Sequence, residues 1–203
     1  MYISKGNVKM GSIASVSLPS VVTCKICECN TKCYAKRMEN RWKNVKKSYQ
    51  NNLETLRNDP EKYWKTVENA ILKSDYFRFH VSGDIPDMDY FEMMVDVAKR
   101  NKHCEILCFT KKYELVNEYV MNGGCVPNNL HIIFSRWRGL EMNNMFRFPE
   151  AHVAYRDGTT TASENAKKCG GNCTECASVG TGCWTLRRGG VEGHGEQIVF
   201  AEH

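Results

Sequence analysis

Tyr76-Phe77-Arg78-Phe79-His80-Val81-Ser82-Gly83-Asp84 decides the fold. Aromatic and β-branched residues fill most of the first six positions, as in a half-buried strand, and Ser-Gly-Asp supplies a turn directly after them. Downstream the period changes and changes back. Phe91, Met94, Val95 and Ala98 share one face of a helix expected over about 87–102, and Glu105 to Thr110 reads as a second strand. A helix from Tyr113 stops at Gly123-Gly124, and Leu130 to Ser135 is a third strand. Strands alternating with helices predict a parallel sheet with right-handed crossovers. A complete eight-stranded barrel takes ~250 residues, and this chain has 203. The expected class is therefore α/β, as a partial (β/α) barrel or an open parallel sheet.

Upstream, Tyr34, Met38, Trp42, Val45, Tyr49, Leu53 and Leu56 recur in steps of four and three. That stripe predicts one long amphipathic helix with Trp42 and Tyr49 in the core. Asp59-Pro60 caps and opens a second helix through Tyr63, Trp64, Val67 and Ile71. Before Cys24, the Ser- and Val-rich segment suits a short strand or an extended arm. His80 alternates with Phe79 and so is expected beside Tyr76 and Arg78, as a hydrogen-bonded structural residue. Ala151 to Tyr155 and Gln197 to Phe200 read as further strands. Between them, residues 156–195 are rich in Gly, Thr, Ser, Asn and Cys, with too few apolar side chains to offset their ordering entropy. The chain thus divides into a partial barrel with an N-terminal cysteine loop, residues 1–155, and a cysteine-rich metal-binding tail, residues 156–203, packed on the same domain.

Hydrophobic residues make up 42% of the chain and charged residues 25%, and the formal charge is +5. No apolar run approaches the ~20 residues of a membrane span, and Met1 leads into Tyr-Ile-Ser-Lys-Gly rather than a signal core. A cytoplasmic protein without membrane partners is expected. Eleven cysteines, an odd number, then point to metal rather than to a disulfide scaffold. Eight of them form two groups: Cys24, Cys27, Cys29 and Cys33, and Cys169, Cys173, Cys176 and Cys183.

Each group offers enough thiolates for tetrahedral zinc or a four-iron cluster. Single tight runs favour iron–sulfur over the separated knuckles of structural zinc, so two 4Fe-4S clusters are expected, with zinc as the alternative. Cys104, Cys108 and Cys125 read as buried thiols that bind nothing. At the strand ends stand Asp84, Lys111 and Arg136, candidate catalytic residues expected to line one cavity beside a cluster. The first helix carries Lys36, Arg37, Arg41, Lys43, Lys46 and Lys47 against Glu39, which permits nucleic acid as a partner.

Cys33-Tyr34-Ala35, the run from His80 to Asp84, Phe109-Thr110-Lys111 and Cys183-Trp184 together resemble a phage-associated family known as gene product eighty-eight. The resemblance spans Cys24 to Trp184 and implies a cysteine-rich iron–sulfur protein. More loosely, the chain is similar to radical S-adenosylmethionine (SAM) enzymes, in which a cysteine loop precedes a partial barrel and a turn after the second strand holds the SAM amino group. That likeness implies SAM binding by Ser82, Gly83 and Asp84. Against it, Cys-x3-Cys-x2-Cys is missing from the early group and occurs only after the strands, at Cys169, Cys173 and Cys176. Three functions follow as expectations: a redox or radical SAM-like enzyme acting on a small molecule, an electron carrier with every iron capped by cysteine, and a zinc-stabilised nucleic-acid-binding protein.

Overall fold

The computed structural model describes residues 1–24, 29, 32–190 and 194–202. In chain order the elements are β1 (Ala14–Val16), α1 (Ser20–Thr23), α2 (Tyr34–Arg41), α3 (Lys43–Asn58), α4 (Pro60–Ile71), β2 (Tyr76–Phe79), α5 (Met88–Arg100), β3 (Glu105–Thr110), α6 (Tyr113–Met121) and β4 (Leu130–Ser135). The second half adds β5 (Glu150–Ala154), β6 (Lys167–Lys168), α7 (Cys173–Ser178), a 3₁₀ turn at Gly182–Thr185 and β7 (Gln197–Ala201). All strand pairs are parallel, in the order β1-β2-β3-β4-β5-β7-β6. β1 and β6 are the free edges, so the sheet is open and the barrel alternative falls away.

Sequential strand order has a direct consequence for the layers. Crossovers of one hand between neighbouring strands return every helix to the same face. Tyr63, Trp64 and Val67 of α4, Phe91 and Met94 of α5, and Val116 of α6 accordingly pack on Phe77, Phe79, Ile106, Ile132 and Phe134. The other face, with Leu107, Ile133, Ala151 and Ile198, is covered by Met10 and Ile13 from the N-terminal arm and by Ala177, Cys183, Trp184 and Leu186 from the tail. The tail also supplies β6 and β7.

Local signals hold where a side chain can reach the backbone. Asp59 accepts from Lys62 N–H at 3.0 Å to open α4, and Asp87 accepts from Tyr90 N–H at 2.9 Å to open α5. The single long helix is corrected. Trp42, at φ −120° and ψ 99°, breaks it into α2 and α3. Instead of lying in the core, Trp42 is 47% exposed, with the Arg41 guanidinium 5.3 Å from its ring. The residues that tie these helices down are polar. Buried Glu39 accepts from Ser20 N–H at 3.0 Å and Ser82 Oγ at 2.7 Å, and buried Asn52 donates to the carbonyls of Tyr2 at 2.9 Å and Ser17 at 3.0 Å. An apolar stripe records which side chains are greasy, not where the backbone turns between them. Cys104 and Cys108 are buried as expected, but Cys125 is exposed.

Asn129 joins α5 to the sheet. Its amide nitrogen donates to the carbonyls of Ala98 at 3.0 Å, Asn101 at 3.1 Å and Cys104 at 3.0 Å, all within the turn from α5 into β3. Removing the donor leaves buried carbonyls unsatisfied, so Asn129→Ala should lower stability by about 2–3 kcal/mol in urea denaturation. An unchanged midpoint would show that the turn holds without it.

Candidate metal centre and strand-end site

At the carboxyl end of β2 the chain is locked by Ser82-Gly83-Asp84. Ser82 Oγ donates to Glu39. Gly83 has φ +82°, and a Cβ there would stand 2.7 Å from Leu18 O and Thr23 Oγ1, so only glycine fits. Buried Asp84 accepts from Thr110 Oγ1 at 2.6 Å, Ile85 N–H at 2.8 Å and Lys111 N–H at 2.9 Å. Burial still pushes its pKa above the usual carboxylate range, against the pull of those bonds and of the Lys111 charge.

Cys24 lies within electrostatic reach of this carboxylate. Burial, and then the Asp84 charge, push its thiol up to about 12; Lys111 pulls it down and Cys33 adds to the rise. Cys33 caps α2, its Sγ accepting from Lys36 N–H at 3.5 Å. Cys29 is disulfide-bonded, and Cys27 lies outside the described residues. Arg136 reaches the same end of the sheet through Tyr113. Burial and the Asp84 charge raise the Tyr113 pKa, the Arg136 charge lowers it, and the Tyr113 hydroxyl donates to Ser135 O. The structure therefore brings Asp84, Lys111, Arg136, Cys24 and Cys33 to one end of the sheet. Asp84, Lys111 and Arg136 line neither the cavity of about 860 Å³ between α3, α4 and α5 nor one of about 360 Å³ at the sheet's carboxyl edge.

The tail cysteines converge elsewhere, on the face opposite the helices. Cys169 N–H donates to Val199 O of β7 at 3.0 Å, and Cys173 N–H donates to Lys9 O of the N-terminal arm at 2.9 Å. Asn172 caps α7 by accepting from Thr174 N–H at 3.0 Å, and Trp184 Nε1–H donates to Cys173 O at 3.3 Å. At Gly182, φ +67°, a Cβ would come within 3.1 Å of Cys176 Sγ, so the turn carrying Cys183 passes directly against the α7 thiol. Burial pushes Cys183 up to about 12, Arg78 opposes that rise, and Cys169, Cys173 and Cys176 add to it. Burial likewise raises Cys173, with Arg78 again opposing. Cys183 thus lies within electrostatic reach of the other three thiols, and Cys173 and Cys183 within reach of the Arg78 guanidinium.

Among the described residues, no group of three or more His, Cys, Asp or Glu side chains stands in positions that would hold a metal ion. The chemistry of the donor set nevertheless fits a sulfur-ligated centre, and a second observation agrees. Arg78 lies 4.8 Å from the Phe109 ring centroid, and its Nε is buried with no hydrogen-bond partner among the described residues. A buried donor whose charge reaches Cys173 and Cys183 suits an anionic sulfur-rich centre. Arg78 was not singled out from the sequence. Strand alternation placed a cation on a face of β2 that a parallel sheet must also cover, and that mismatch was the available signal.

The family model for gene product 88 matches residues 3–179. The chain belongs to the gene product 88 family. No curated protein and no solved structure matches it. The gene product 88 match agrees with the phage-associated resemblance and gives no support to the iron–sulfur or radical SAM part of it.

His80 departs from its expected role. β2 ends at Phe79, so the strand alternation does not extend to His80, which turns at φ 57°. Its ring centroid lies 5.9 Å from that of Phe79 and 5.4 Å from that of Tyr90, and neither ring nitrogen has a partner among the described residues. Burial, aided by the Arg78 charge, pushes its pKa down to about 3 from 6.5. Between those values the unfolded chain takes up a proton that the folded one refuses. Stability is therefore fully present above pH 6.5 and falls as the pH drops toward 3, by up to ~1.4 kcal/mol per pH unit. Asparagine tolerates the left-handed turn, so His80→Asn should flatten that part of the pH–stability curve measured by urea denaturation. A variant curve parallel to the parent's would assign the acid sensitivity to other groups.

Proposed function

We propose that this gene product 88 protein is an iron–sulfur protein that carries electrons, its cluster held by Cys169, Cys173, Cys176 and Cys183 against Arg78. The observation that carries this reading is that the 3₁₀ turn packs Cys183 into one cluster with Cys169, Cys173 and Cys176, Gly182 passing directly against the Cys176 sulfur. Three cysteines leave an iron open for a substrate or for SAM, whereas a fourth closes the cluster and leaves outer-sphere electron transfer as its chemistry. The turn expected to take the SAM amino group also has its polar groups engaged: Ser82 with Glu39, and Asp84 with Thr110, Ile85 and Lys111.

A cluster bound here would supply one-electron redox chemistry. The protein's own residues set its conditions. Trp184, Ala177 and Leu186 shield one side, while Cys169, Cys173 and Cys176 remain half-buried, near enough to solvent to meet a redox partner. Arg78 favours the more negative, reduced state and so raises the potential. Zinc in the same thiolates is the competing occupant. The early group does not enter this proposal, because Cys29 is disulfide-bonded and Cys27 is outside the described residues.

Protein purified without oxygen should contain iron and acid-labile sulfide in similar amounts and absorb broadly near ~400 nm. Replacing Cys173 and Cys176 together with Ser should remove that iron. A colourless protein carrying stoichiometric zinc contradicts the reading. In the loaded protein, Arg78→Gln should keep its iron but shift the reduction potential to a more negative value. An unchanged potential would remove Arg78 from the centre's surroundings.

A further inference from the structure

We propose that the carboxyl edge of the sheet carries a binding pocket for a phosphate group, separate from the tail thiols. A cavity of about 360 Å³ opens there, where Lys32, Arg37, Arg138 and Arg156 face two carboxylates, Asp157 and Glu202. The fold gathers these residues from distant places: Lys32 and Arg37 around the start of α2, Arg138 after β4, Arg156 and Asp157 after β5, and Glu202 after β7. Ligands of open parallel sheets collect at this end of the strands.

The internal pairing leaves positive charge over. Arg138 donates to both oxygens of Asp157, at 3.1 and 2.8 Å, and Lys32 Nζ lies 2.6 Å from Glu202 Oε1. Each carboxylate thus has its own cation. Among the described residues, the Arg37 and Arg156 side chains form no ion pair. The Arg156 charge acts on Glu202 from a distance, and the Arg156 N–H donates to that carboxylate at 2.9 Å. Four cations against two carboxylates still leave two positive charges in one small cavity, a match for a phosphate dianion, since the guanidinium fork pairs with phosphate in two-point contacts.

Tyr155 limits the ligand further. Arg138 covers its ring at 4.1 Å, and its hydroxyl accepts from Arg138 N–H at 2.6 Å, so this ring is not free to stack a base. Recognition rests on the phosphate itself, whether it is carried by a small ester or by the end of a nucleic-acid strand.

Calorimetric titration of the full chain at low salt distinguishes these sources, with inorganic phosphate, a 5′ mononucleotide and a short 5′-phosphorylated DNA strand as the three probes. At least one should bind, weakening as salt is raised, and the tightest identifies the source of the phosphate. The double substitution R37Q/R156Q should weaken that binding by about tenfold or more while leaving the metal content and the denaturation midpoint unchanged. Binding that survives the double substitution, or no binding of any probe at millimolar concentration, overturns the proposal.

Discussion

A parallel sheet must be covered on both faces, and in this chain the helices can cover only one. β1 to β5 follow one another in space as they do in sequence, so α4, α5 and α6 are all returned to the side of Phe77, Ile106 and Phe134. Leu107, Ile133 and Ala151 are left for Met10 and Ile13 of the N-terminal arm and for whatever comes after β5. What comes is a segment poor in apolar residues, and it covers the face with Ala177, Cys183, Trp184 and Leu186. A segment of that composition gains little from burial alone, so a cross-link at its cysteines would meet the ordering cost that its side chains do not. The proposed centre and the fold thus have one origin: the face that needs a cover is covered by the part of the chain that needs a staple.

Arg78 belongs to the same constraint. Its neighbours on the helix side, Phe77 and Phe79, are fully buried in the larger core, and alternation sends Arg78 the other way, toward the tail. A guanidinium beneath a covering layer is costly unless something anionic meets it. Phe109 takes one face of the group, and the thiols stand close enough for its charge to oppose the rise in their pKa values. Cys24, at the strand ends, meets a different balance of charge. Burial and then the Asp84 charge hold its proton on, and Lys111 and Lys112 oppose that only in part. The two groups, each of four cysteines in the sequence, therefore differ in the charge around the thiols that the structure describes.

β2 to β4 and their order were legible because short aromatic and β-branched runs leave few alternatives, and the starts of α4 and α5 because Asp59 and Asp87 bond backbone N–H groups three residues on; β6, two lysines in the irregular tail, carries no such signal. The open sheet was one of two architectures the chain length allowed. Trp42 was misread because a stripe in steps of four and three continues across a break when both flanking helices are amphipathic. Glu39 and Asn52 were missed because buried polar anchors carry no periodic signal. Their partners, Ser82 and Ser17, are distant in sequence. In the candidate site, Asp84, Lys111 and Arg136 were legible as strand-end residues. The role of Arg78 and the pocket around Arg37 and Arg156 depend on tertiary juxtaposition, which no short window of sequence contains.

The central claim is that four cysteines close one cluster on the sheet's second face, and the Mössbauer spectrum of protein grown on isotopically enriched iron tests it most directly. The account predicts iron in sulfur-only surroundings, with no distinct site and no change when SAM is added. A separate iron signal that shifts on adding SAM would show an open coordination position and contradict the closed, electron-carrying centre.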